Sequence, residues 1–512
     1  MSRESNADVI VAGSGNAAMS AALAAAEAGA SVVVLEKAPR AEAGGNTWYT
    51  AGAYRTPHGG IDDLGALLSD PADARLAATE LSSYAEADFR ADLERLTDGR
   101  CDPLMADVLV GDARGSIDWL HGHGVGFELM YHRQAYALDG GGHRFWGNLA
   151  LGVVGGGKGL VAQQLETARA LGVEVVYEAG VVGLERDGDG AIAGVETADG
   201  RRWAAPAVVL ACGGFQADPA LRARHLGDRW RAAKVRGTGH NTGEALLAAL
   251  DAGAARAGDW GSCHSVAWDV DAPPHGGDRE LTNRFTKQSY PLGIVVNLAG
   301  ERFVDEGSDF RNYTYARLGA AIIEQPQATA VQLFDGKTKP LLRDDEYTVP
   351  GIVRHEAGDL RSLARAAGID PDGLERTVRA FNAAVRAGPF DPTAKDGKGT
   401  DGIEPPKSNW AQPLDRAPYV AVTVTCGITF TFGGLRIDAD GRVLDERAAP
   451  IAGLFAAGEI AGGLFAGNYP GGSGLTAGTV FGRRAGHSAA TAVIGPDPAP
   501  RAAGAQQEGV AS

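Results

Sequence analysis

The chain has 512 residues, of which 44% are hydrophobic and 22% charged, the ordinary balance of a globular protein with two or three domains. It carries 48 Lys and Arg residues against 64 Asp and Glu residues, a formal net charge of −16, so its surface repels a nucleic-acid polyanion. No apolar run is long and uniform enough to cross a bilayer. We therefore expect no nucleic-acid partner, no membrane insertion and no export.

The four cysteines are widely separated in the sequence, at Cys101, Cys212, Cys263 and Cys426. They form neither a CxxC metal or redox motif nor a disulfide framework. The sequence thus predicts no metal site, and its cysteine use suits a reducing cytoplasm.

The first forty residues have the pattern of a β-α-β unit. Residues 8–12 are an apolar run that ends at a glycine, as a buried parallel strand does. Residues 16–28 are rich in Ala, Met and Leu, which favours a helix that Gly29 ends. Residues 31–35 form a second apolar strand, which completes the unit.

The rest of the chain alternates between helical and strand patterns. Residues 61–130 have helical periodicity and predict a helical excursion. Residues 173–177, 181–186 and 191–197, separated by glycine-containing turns, predict an antiparallel meander. Further expected elements are strands at 207–211, 294–297 and 454–457, helices at 360–367, 374–387 and 476–492, and a disordered tail at 496–512.

The first chemical motif is a glycine-rich turn between the first strand and the first helix. Gly13 permits the tight turn, Gly15 lets the backbone approach a pyrophosphate, and Ala18 is small enough for close helix packing. The diphosphate then lies on the free N–H groups of the helix N-terminus. Glu36 ends the second strand, where its carboxylate can bind ribose hydroxyls, so the motif predicts a dinucleotide other than NADP.

Later features favour FAD over NAD. They are the meander, the stretch Gly44-Gly45-Asn46-Thr47, the acid Glu459 after a buried strand, and a glycine-rich start of the last helix, which would direct a positive dipole end at the flavin. The residues predicted to bind FAD are Gly13, Gly15, Asn16, Ala17, Glu36, Lys37, Gly44, Gly45, Asn46, Thr47, Gly52, Val182, Ala211, Gly213, Gly458, Glu459, Gly472, Ser473, Gly474 and Leu475.

With these residues the sequence resembles the flavoprotein superfamily of fumarate reductase and succinate dehydrogenase over nearly its whole length. The run Gly300-Glu301-Arg302-Phe303-Val304-Asp305-Glu306 also carries this resemblance. Within the superfamily it is most similar to the tricarballylate dehydrogenase branch, through the stretches at 310–313, 427–434 and 468–472.

The resemblance implies an α/β fold: a Rossmann-like FAD-binding domain with an antiparallel β-meander, plus an inserted α+β capping domain. The FAD-binding domain would comprise residues 1–255 and 427–495, and the cap residues 256–426. It also implies that Arg311 moves a proton to or from the substrate and that His264 binds a substrate carboxylate. Trp48 and Tyr49 stand where relatives that bind flavin covalently carry a histidine, so we expect noncovalent FAD.

Two departures from fumarate reductases bear on the substrate. Thr429 and Phe430 replace two histidines, and Tyr469 lies where an arginine clamp is expected. Since arginine is a natural acid but a poor base, an oxidation needs another proton acceptor. Tyr313, Tyr469 and His264 are the alternatives.

The resulting hypothesis is an FAD-dependent dehydrogenase that forms or reduces a C=C bond next to a carboxylate or carbonyl, with hydride transfer at flavin N5. By resemblance, the first choice is tricarballylate to cis-aconitate. A cyclic ketone or ketosteroid-like substrate is the alternative, and a non-catalytic flavin-binding electron-transfer subunit is a third possibility. No haem-attachment or iron–sulfur motif is present in the sequence, so the electron acceptor is unidentified.

Overall fold

The computed structural model describes residues 4–495. The predicted tail at 496–512 therefore lies outside the described residues. Within residues 4–495, no helix combines the length and the apolar character that crossing a bilayer requires.

A six-stranded sheet, called here the central sheet, forms the middle of the FAD-binding domain. Its strands lie in the order Glu174–Val176, Val32–Leu35, Val9–Ala12, Ala207–Leu210, Pro450–Ala456 and Arg442–Leu444. The first five run parallel and the last is antiparallel. Every residue of Val9–Ala12 and Val32–Leu35 is buried, as expected for parallel strands covered on both faces.

The predicted meander is present, but with different strands. It consists of the antiparallel neighbours Val181–Arg186, Ile192–Thr197 and Arg202–Ala204, and Glu4–Asn6 pairs parallel with the last of them. The assignment of 173–177 to the meander is wrong, because Glu174–Val176 pairs in parallel with Val32–Leu35 at the edge of the central sheet. A short strand flanked by turns carries no signal for which partner it takes.

Two helices cover one face of the central sheet and pack closely on each other. They are the first helix, Asn16–Glu27, and the C-terminal helix, Ser473–Ile494. A Cβ added at Gly482 would lie 2.4 Å from the carbonyl oxygen of Ala17, and one at Gly486 would lie 2.0 Å from that of Ala21. Only glycine lets the two backbones approach this closely.

The predicted helical excursion contains Ile61–Gly65, Glu86–Leu96 and Pro103–Gly122. The helices Tyr131–Gln134 and Gly156–Ala170 follow it. Two small sheets connect this region, one of Ala53–Tyr54, Leu151–Val153 and Phe127–Leu129, and one of Thr79–Glu80, His143–Phe145 and Ala135–Ala137.

The cap is built on one long strand, Tyr419–Thr431, called here the long cap strand. It pairs with Lys234–Val235, Cys263–Asp269, Thr329–Phe334 and Arg354–Ala357, and Ile294–Val296 pairs with Thr329–Phe334. The long cap strand runs without a break across the predicted domain boundary at 426, so the sheet of the cap extends to Thr431.

Helices surround this sheet and join it to the FAD-binding domain. The cap helices are Arg311–Ile323, Asp344–Tyr347, Leu360–Ala367 and Pro371–Ala384. Two further helices, Pro219–Leu226 and Glu244–Asp251, precede the cap in the sequence. Where the chain passes between the two domains, two short strands pair with each other, Arg256–Ala257 and Gly434–Leu435. Arg311–Ile323, called here the cap helix, packs on the strand Cys263–Asp269.

Candidate active site

One large cavity, of about 2070 Å³ including its open mouth, lies between the FAD-binding domain and the cap. Its walls include Ala12, Leu35, Ala211 and Gly458, at or just beyond the carboxyl ends of four central-sheet strands. Ligands of open α/β sheets bind at this edge. The cavity wall continues from the glycine-rich turn to the cap helix, so one space joins the dinucleotide end of the FAD-binding domain to the cap.

The glycine-rich turn forms one end of the cavity. Gly13 has φ +104°, and a Cβ there would lie 2.6 Å from the carbonyl oxygen of Ala211. Ser14 connects two predicted cofactor segments, because its Oγ donates to Glu36 Oε2 at 2.5 Å and accepts from the Gly44 N–H at 2.9 Å. The other oxygen of Glu36 accepts from the Ala38 N–H at 2.7 Å. The carboxylate is thereby fixed at the end of its strand.

The N-termini of the first helix and the C-terminal helix meet at the same cavity. Asn16 Nδ2 donates to the carbonyl of Leu475 at 2.8 Å and to Thr479 Oγ1 at 3.0 Å, and the Asn16 N–H donates to Thr47 Oγ1 at 2.8 Å. Helix N-termini carry unpaired N–H groups and the positive end of the dipole. The cavity thus has two separate sites for negative charge.

Most of the predicted cofactor residues line the cavity. They are Gly13, Gly15, Asn16, Ala17, Glu36, Lys37, Gly45, Asn46, Thr47, Ala211, Gly213, Gly458, Glu459, Gly472, Gly474 and Leu475. Val182 does not: its side chain is 38% exposed and its neighbour Val181 is on the cavity wall. Successive side chains of a strand point to opposite faces, so the predicted register there is off by one residue.

Gly44, Gly52 and Ser473 also stand behind the cavity wall. A Cβ at Gly44 would meet Val161 at 3.0 Å, and one at Gly52 would meet the Gly156 backbone at 2.8 Å. Both glycines therefore serve close packing. Ser473 is fully buried at the start of the C-terminal helix.

Glu459 is a buried acid on the cavity wall. Its carboxylate accepts from the Thr431 N–H at 2.9 Å and from Gln216 and Asn241, each at 3.3 Å. Burial raises the pKa of Glu459 to about 7, against these hydrogen bonds, which lower it. The group can therefore change its protonation state near neutral pH.

Two tyrosines from different segments meet at the end of the cavity next to the cap. The hydroxyl of Tyr315, on the cap helix, lies 2.5 Å from that of Tyr469. Both side chains line the cavity. Burial raises the pKa of Tyr315 and raises that of Tyr469 well above its usual value, so both phenols are protonated at neutral pH. Since each phenol has one proton, the pair retains one O–H for a ligand.

Arg311 faces the same end of the cavity and is 6% exposed. Its Nη1 donates to Gln288 Oε1 at 2.8 Å, its Nη2 donates to the carbonyl of Arg133, and its Nε has no partner among the described residues. The guanidinium carbon lies 4.9 Å from the ring centroid of Trp146. No carboxylate of residues 4–495 pairs with Arg311, so its charge is available to a ligand.

Tyr313 does not reach the cavity. Its hydroxyl donates to Asp92 Oδ2 at 2.7 Å and accepts from Arg55 Nη1 at 3.2 Å, in a buried cluster on another side of the cap helix. Residues that are four apart in a helix lie on the same face, whereas residues that are two apart lie on opposite sides. Tyr315, which the sequence did not single out, therefore shares the cavity face with Arg311.

His264 lies behind the tyrosine pair and is 1% exposed. Its ring stacks on Phe430 at 5.1 Å and lies edge-on to Tyr315 at 5.0 Å and to Tyr469 at 4.8 Å. Burial and then the charge of Arg236 lower the pKa of His264 well below its usual value. His264 does not line the cavity wall, so its role as a ligand of a substrate carboxylate stays a prediction.

Arg236, which the sequence analysis does not single out, lies on the cavity wall beside Asn283 and Thr429. The available signal was an arginine at the entrance to the glycine-rich loop Gly237-Thr238-Gly239. Asn46, from the predicted flavin segment, binds the other side of this region through the Thr429 carbonyl at 2.7 Å. The cofactor end and the cap end of the cavity are thus directly connected.

The fold and the cavity define a two-domain dinucleotide-binding protein with a second site beneath a cap. Residues 8–475 match the family model described as FAD binding domain, and the chain belongs to this family. It is a member of the flavoprotein superfamily of fumarate reductase and succinate dehydrogenase. The tricarballylate dehydrogenase branch remains a prediction.

The chain is similar to two curated enzymes over nearly its full length. It is 31% identical to the 4-oxocyclohexanecarboxylate 2-dehydrogenase of Sinomonas cyclohexanicum, over 98% of this chain and 96% of the relative. It is 28% identical to a fumarate reductase (cytochrome) of Shewanella frigidimarina, over 94% of this chain and 77% of the relative. The chain is therefore an FAD-dependent oxidoreductase that acts on CH–CH bonds. This conclusion replaces the alternative of a non-catalytic flavin-binding subunit.

Two solved structures share the fold. A flavocytochrome c3 fumarate reductase in its open conformation superposes with a TM-score of 0.70 at 24% identity, over 96% of this chain and 79% of that one. The 3-ketosteroid Δ1-dehydrogenase of Sterolibacterium denitrificans superposes with a TM-score of 0.70 at 22% identity, over 95% of this chain and 99% of that one.

The residues of the cavity fit FAD. Two helix N-termini can receive the diphosphate and the electron-rich edge of the flavin, and Glu36 stands where ribose hydroxyls need an acceptor. A Cβ at Gly213 would lie 2.2 Å from Asn241 Nδ2, so a glycine is needed for the wall to close there. FAD is the cofactor of this chain.

Proposed function

We propose that this enzyme introduces, or in reverse reduces, a C=C bond next to the ketone of a small cyclic oxo acid. The observation that carries the proposal is the 2.5 Å contact between the hydroxyls of Tyr315 and Tyr469 on the cavity wall. A protonated phenol pair with one free O–H is a donor for a carbonyl oxygen. The similarity to a 4-oxocyclohexanecarboxylate 2-dehydrogenase supports the same substrate class.

The tyrosine pair would act on the carbonyl end of the substrate. Desaturation moves a proton from the carbon next to the carbonyl to a base or to water, and a hydride from the following carbon to an acceptor, leaving a conjugated C=C bond. A hydrogen bond from the phenols to the carbonyl oxygen stabilises the negative charge that develops there as the proton leaves. Bound FAD supplies the hydride acceptor.

Arg311 would stabilise negative charge in the direction of desaturation. Its guanidinium keeps its proton at any ordinary pH, so it is a donor and not an acceptor. Its contacts to Gln288 and to the Arg133 carbonyl hold it against the cavity.

Tricarballylate is the second candidate substrate. Arg236 and Arg311 both line the cavity, and neither pairs with a carboxylate of residues 4–495. Two such cations can hold two carboxylates of a polyacid. The oxo acid takes precedence because a polyacid leaves the free O–H of the tyrosine pair without a ketone to bind.

The visible spectrum of the anaerobic holoenzyme distinguishes these substrates. Addition of 4-oxocyclohexanecarboxylate is expected to bleach the oxidised flavin band. Tricarballylate is added to a second sample of the same protein. Bleaching by tricarballylate alone would transfer the assignment to the polyacid. Both assignments would be overturned if neither compound bleached the flavin band. The same result would have to hold in reverse, with neither unsaturated product reoxidising the flavin after its reduction by dithionite.

We also propose that the FAD is bound noncovalently, since Trp48 and Tyr49 occupy the segment where a histidyl link would form. Acid precipitation of the holoenzyme is then expected to leave all of the flavin in the supernatant. Flavin that stays with the precipitate would contradict this.

A further inference from the structure

We infer that Arg236, held by Asn283 and Thr429, binds a carboxylate group of the substrate. The inference rests on the proposed function in that the same ligand also contacts the tyrosine pair. Arg236 follows the strand Lys234–Val235, lines the cavity and is 8% exposed. It is a buried cation at the edge of a space that a small molecule can enter.

The hydrogen bonds of Arg236 leave its charge uncompensated. Its Nε donates to Asn283 Oδ1 at 3.1 Å, its Nη2 donates to the same oxygen, and its Nη1 donates to Thr429 Oγ1 at 2.9 Å. These acceptors are neutral. A guanidinium has five N–H groups, so one N–H remains on each Nη, and this is the arrangement that a carboxylate binds with two parallel hydrogen bonds.

Two other arginines with little exposure show how a guanidinium is satisfied within the chain. Arg133 pairs with Asp345 and Glu346, each at 2.7 Å. Arg222 has no carboxylate partner among the described residues but donates to four backbone carbonyls, those of Gln216, Trp230, Arg231 and Ala233. Arg236 has neither arrangement within residues 4–495. Burying an unpaired charge is strongly unfavourable, so an anionic ligand is the missing partner.

The position of Arg236 relative to the tyrosines defines the ligand. Arg236, Tyr315 and Tyr469 line the same cavity, and the positive charge of Arg236 lowers the pKa of both phenols, against burial, which raises it. Phe430, next to Thr429, has its ring centroid 5.4 Å from that of Tyr469. A single small molecule can thus place a carbonyl on the phenols and a carboxylate on Arg236.

This arrangement also accounts for a departure from fumarate reductases. Thr429 and Phe430 stand where those enzymes are expected to carry histidines. Here Thr429 instead accepts a hydrogen bond from Arg236, which arrives from a neighbouring strand of the same sheet. The cation that the long cap strand lacks is supplied by Arg236, and Thr429 and Asn283 act as positioning residues.

The test measures binding without turnover. FAD-loaded wild-type protein and Arg236→Gln are titrated with cyclohexanecarboxylate, which has the acid without the ketone, and with cyclohexanone, which has the ketone without the acid. The flavin absorbance reports binding. We expect the Kd of cyclohexanecarboxylate to rise at least tenfold in Arg236→Gln and that of cyclohexanone to change less than twofold.

Three further variants control the experiment. Arg284→Gln makes the same substitution at an exposed arginine off the cavity wall and is expected to bind both probes like the wild type. Two variants are expected to weaken acid binding by a smaller factor. Arg236→Lys keeps the charge but loses the two parallel N–H donors of the guanidinium, and Thr429→Val removes one acceptor that positions Arg236. Flavin content per chain shows that each variant is folded.

Several results would overturn the assignment of Arg236. They are wild-type protein that does not respond to cyclohexanecarboxylate, an unchanged Kd in Arg236→Gln, or equal weakening of both probes. Failure of the proposed function is a separate outcome. In that case the flavin is not bleached by the oxo acid while acid binding still depends on Arg236.

Discussion

The hydroxyl groups of Tyr315 and Tyr469 lie 2.5 Å apart although the two residues come from different parts of the fold, the cap helix and the loop before the C-terminal helix. The glycine-rich loop after Tyr469 is held to the cap helix, because the Gly471 N–H donates to the carbonyl of Asn312 at 2.8 Å. The pair forms only while cap and FAD-binding domain are in this relative position. It therefore makes the donor site dependent on the position of the cap.

We predict that Tyr469→Phe and Tyr315→Phe each lower kcat by roughly two to three orders of magnitude, the effect of removing one donor from a developing oxyanion. The measurement is the anaerobic rate of flavin bleaching at saturating oxo acid. FAD content is expected to remain that of the wild type, since phenylalanine keeps the ring of each side chain.

Tyr313→Phe is the matched control, because it removes a hydroxyl from the same helix on the face away from the cavity. It breaks contacts to Asp92 and Arg55 and is expected to lower stability by about 1–3 kcal/mol. Its kcat should stay within about threefold of the wild type. A loss of kcat as large as that of Tyr315→Phe would remove the distinction between the two tyrosines.

The contrast between Tyr313 and Tyr315 shows what the sequence could not provide. Short buried strands and glycine turns are local signals, and Val9–Ala12, Val32–Leu35 and Leu360–Ala367 lie within a residue of their predicted positions. The sequence analysis predicts no helix in the segment from 311. Only the helix Arg311–Ile323 puts Tyr315 and Arg311 on one face, four residues apart.

The sequence predicts those parts of the candidate site that lie within one short stretch of chain. The β-α-β unit, which contains the glycine turn and Glu36, is such a stretch. The role of Arg236 has no local signature beyond its place before a glycine-rich loop, because this role depends on the lack of a hydrogen-bonded carboxylate partner among residues 4–495. The position of His264 in the sequence likewise does not reveal the three rings that surround it.

Glu36→Gln is expected to weaken FAD binding by roughly tenfold to a hundredfold, because a hydrogen bond to a charged group contributes about 1.5–3 kcal/mol. The amide keeps the size of the side chain, so the strand is undisturbed. The measurement is the Kd of FAD for the apoprotein. Glu174→Gln, an exposed acid on the neighbouring strand, is the control and should bind FAD unchanged.

Close packing of the first and C-terminal helices predicts a large effect from a single methyl group. In Gly486→Ala the new Cβ would lie 2.0 Å from the Ala21 carbonyl oxygen, so the helices must separate, and we expect a loss of about 1–3 kcal/mol. Thermal unfolding of the holoenzyme measures this. Gly115→Ala lies in a helix with nothing within 4 Å of the added Cβ and should be neutral or stabilising by up to about 1 kcal/mol.

The pKa of Glu459 makes the stability of the apoprotein depend on pH. Because the folded pKa, about 7, lies above the ordinary value of 4.5, the folded protein holds a proton that the unfolded chain releases between these two values. The contribution is fully present below pH 4.5, decreases as pH rises to 7, and is constant above it, with a total change of at most about 3 kcal/mol. Glu459→Gln cannot ionise, so its stability relative to the wild type should increase from pH 5 to pH 8, measured by urea unfolding of the apoprotein. Glu174→Gln again serves as the control and should follow the wild-type curve. A Glu459→Gln curve parallel to the wild type across this range would mean that Glu459 does not titrate there.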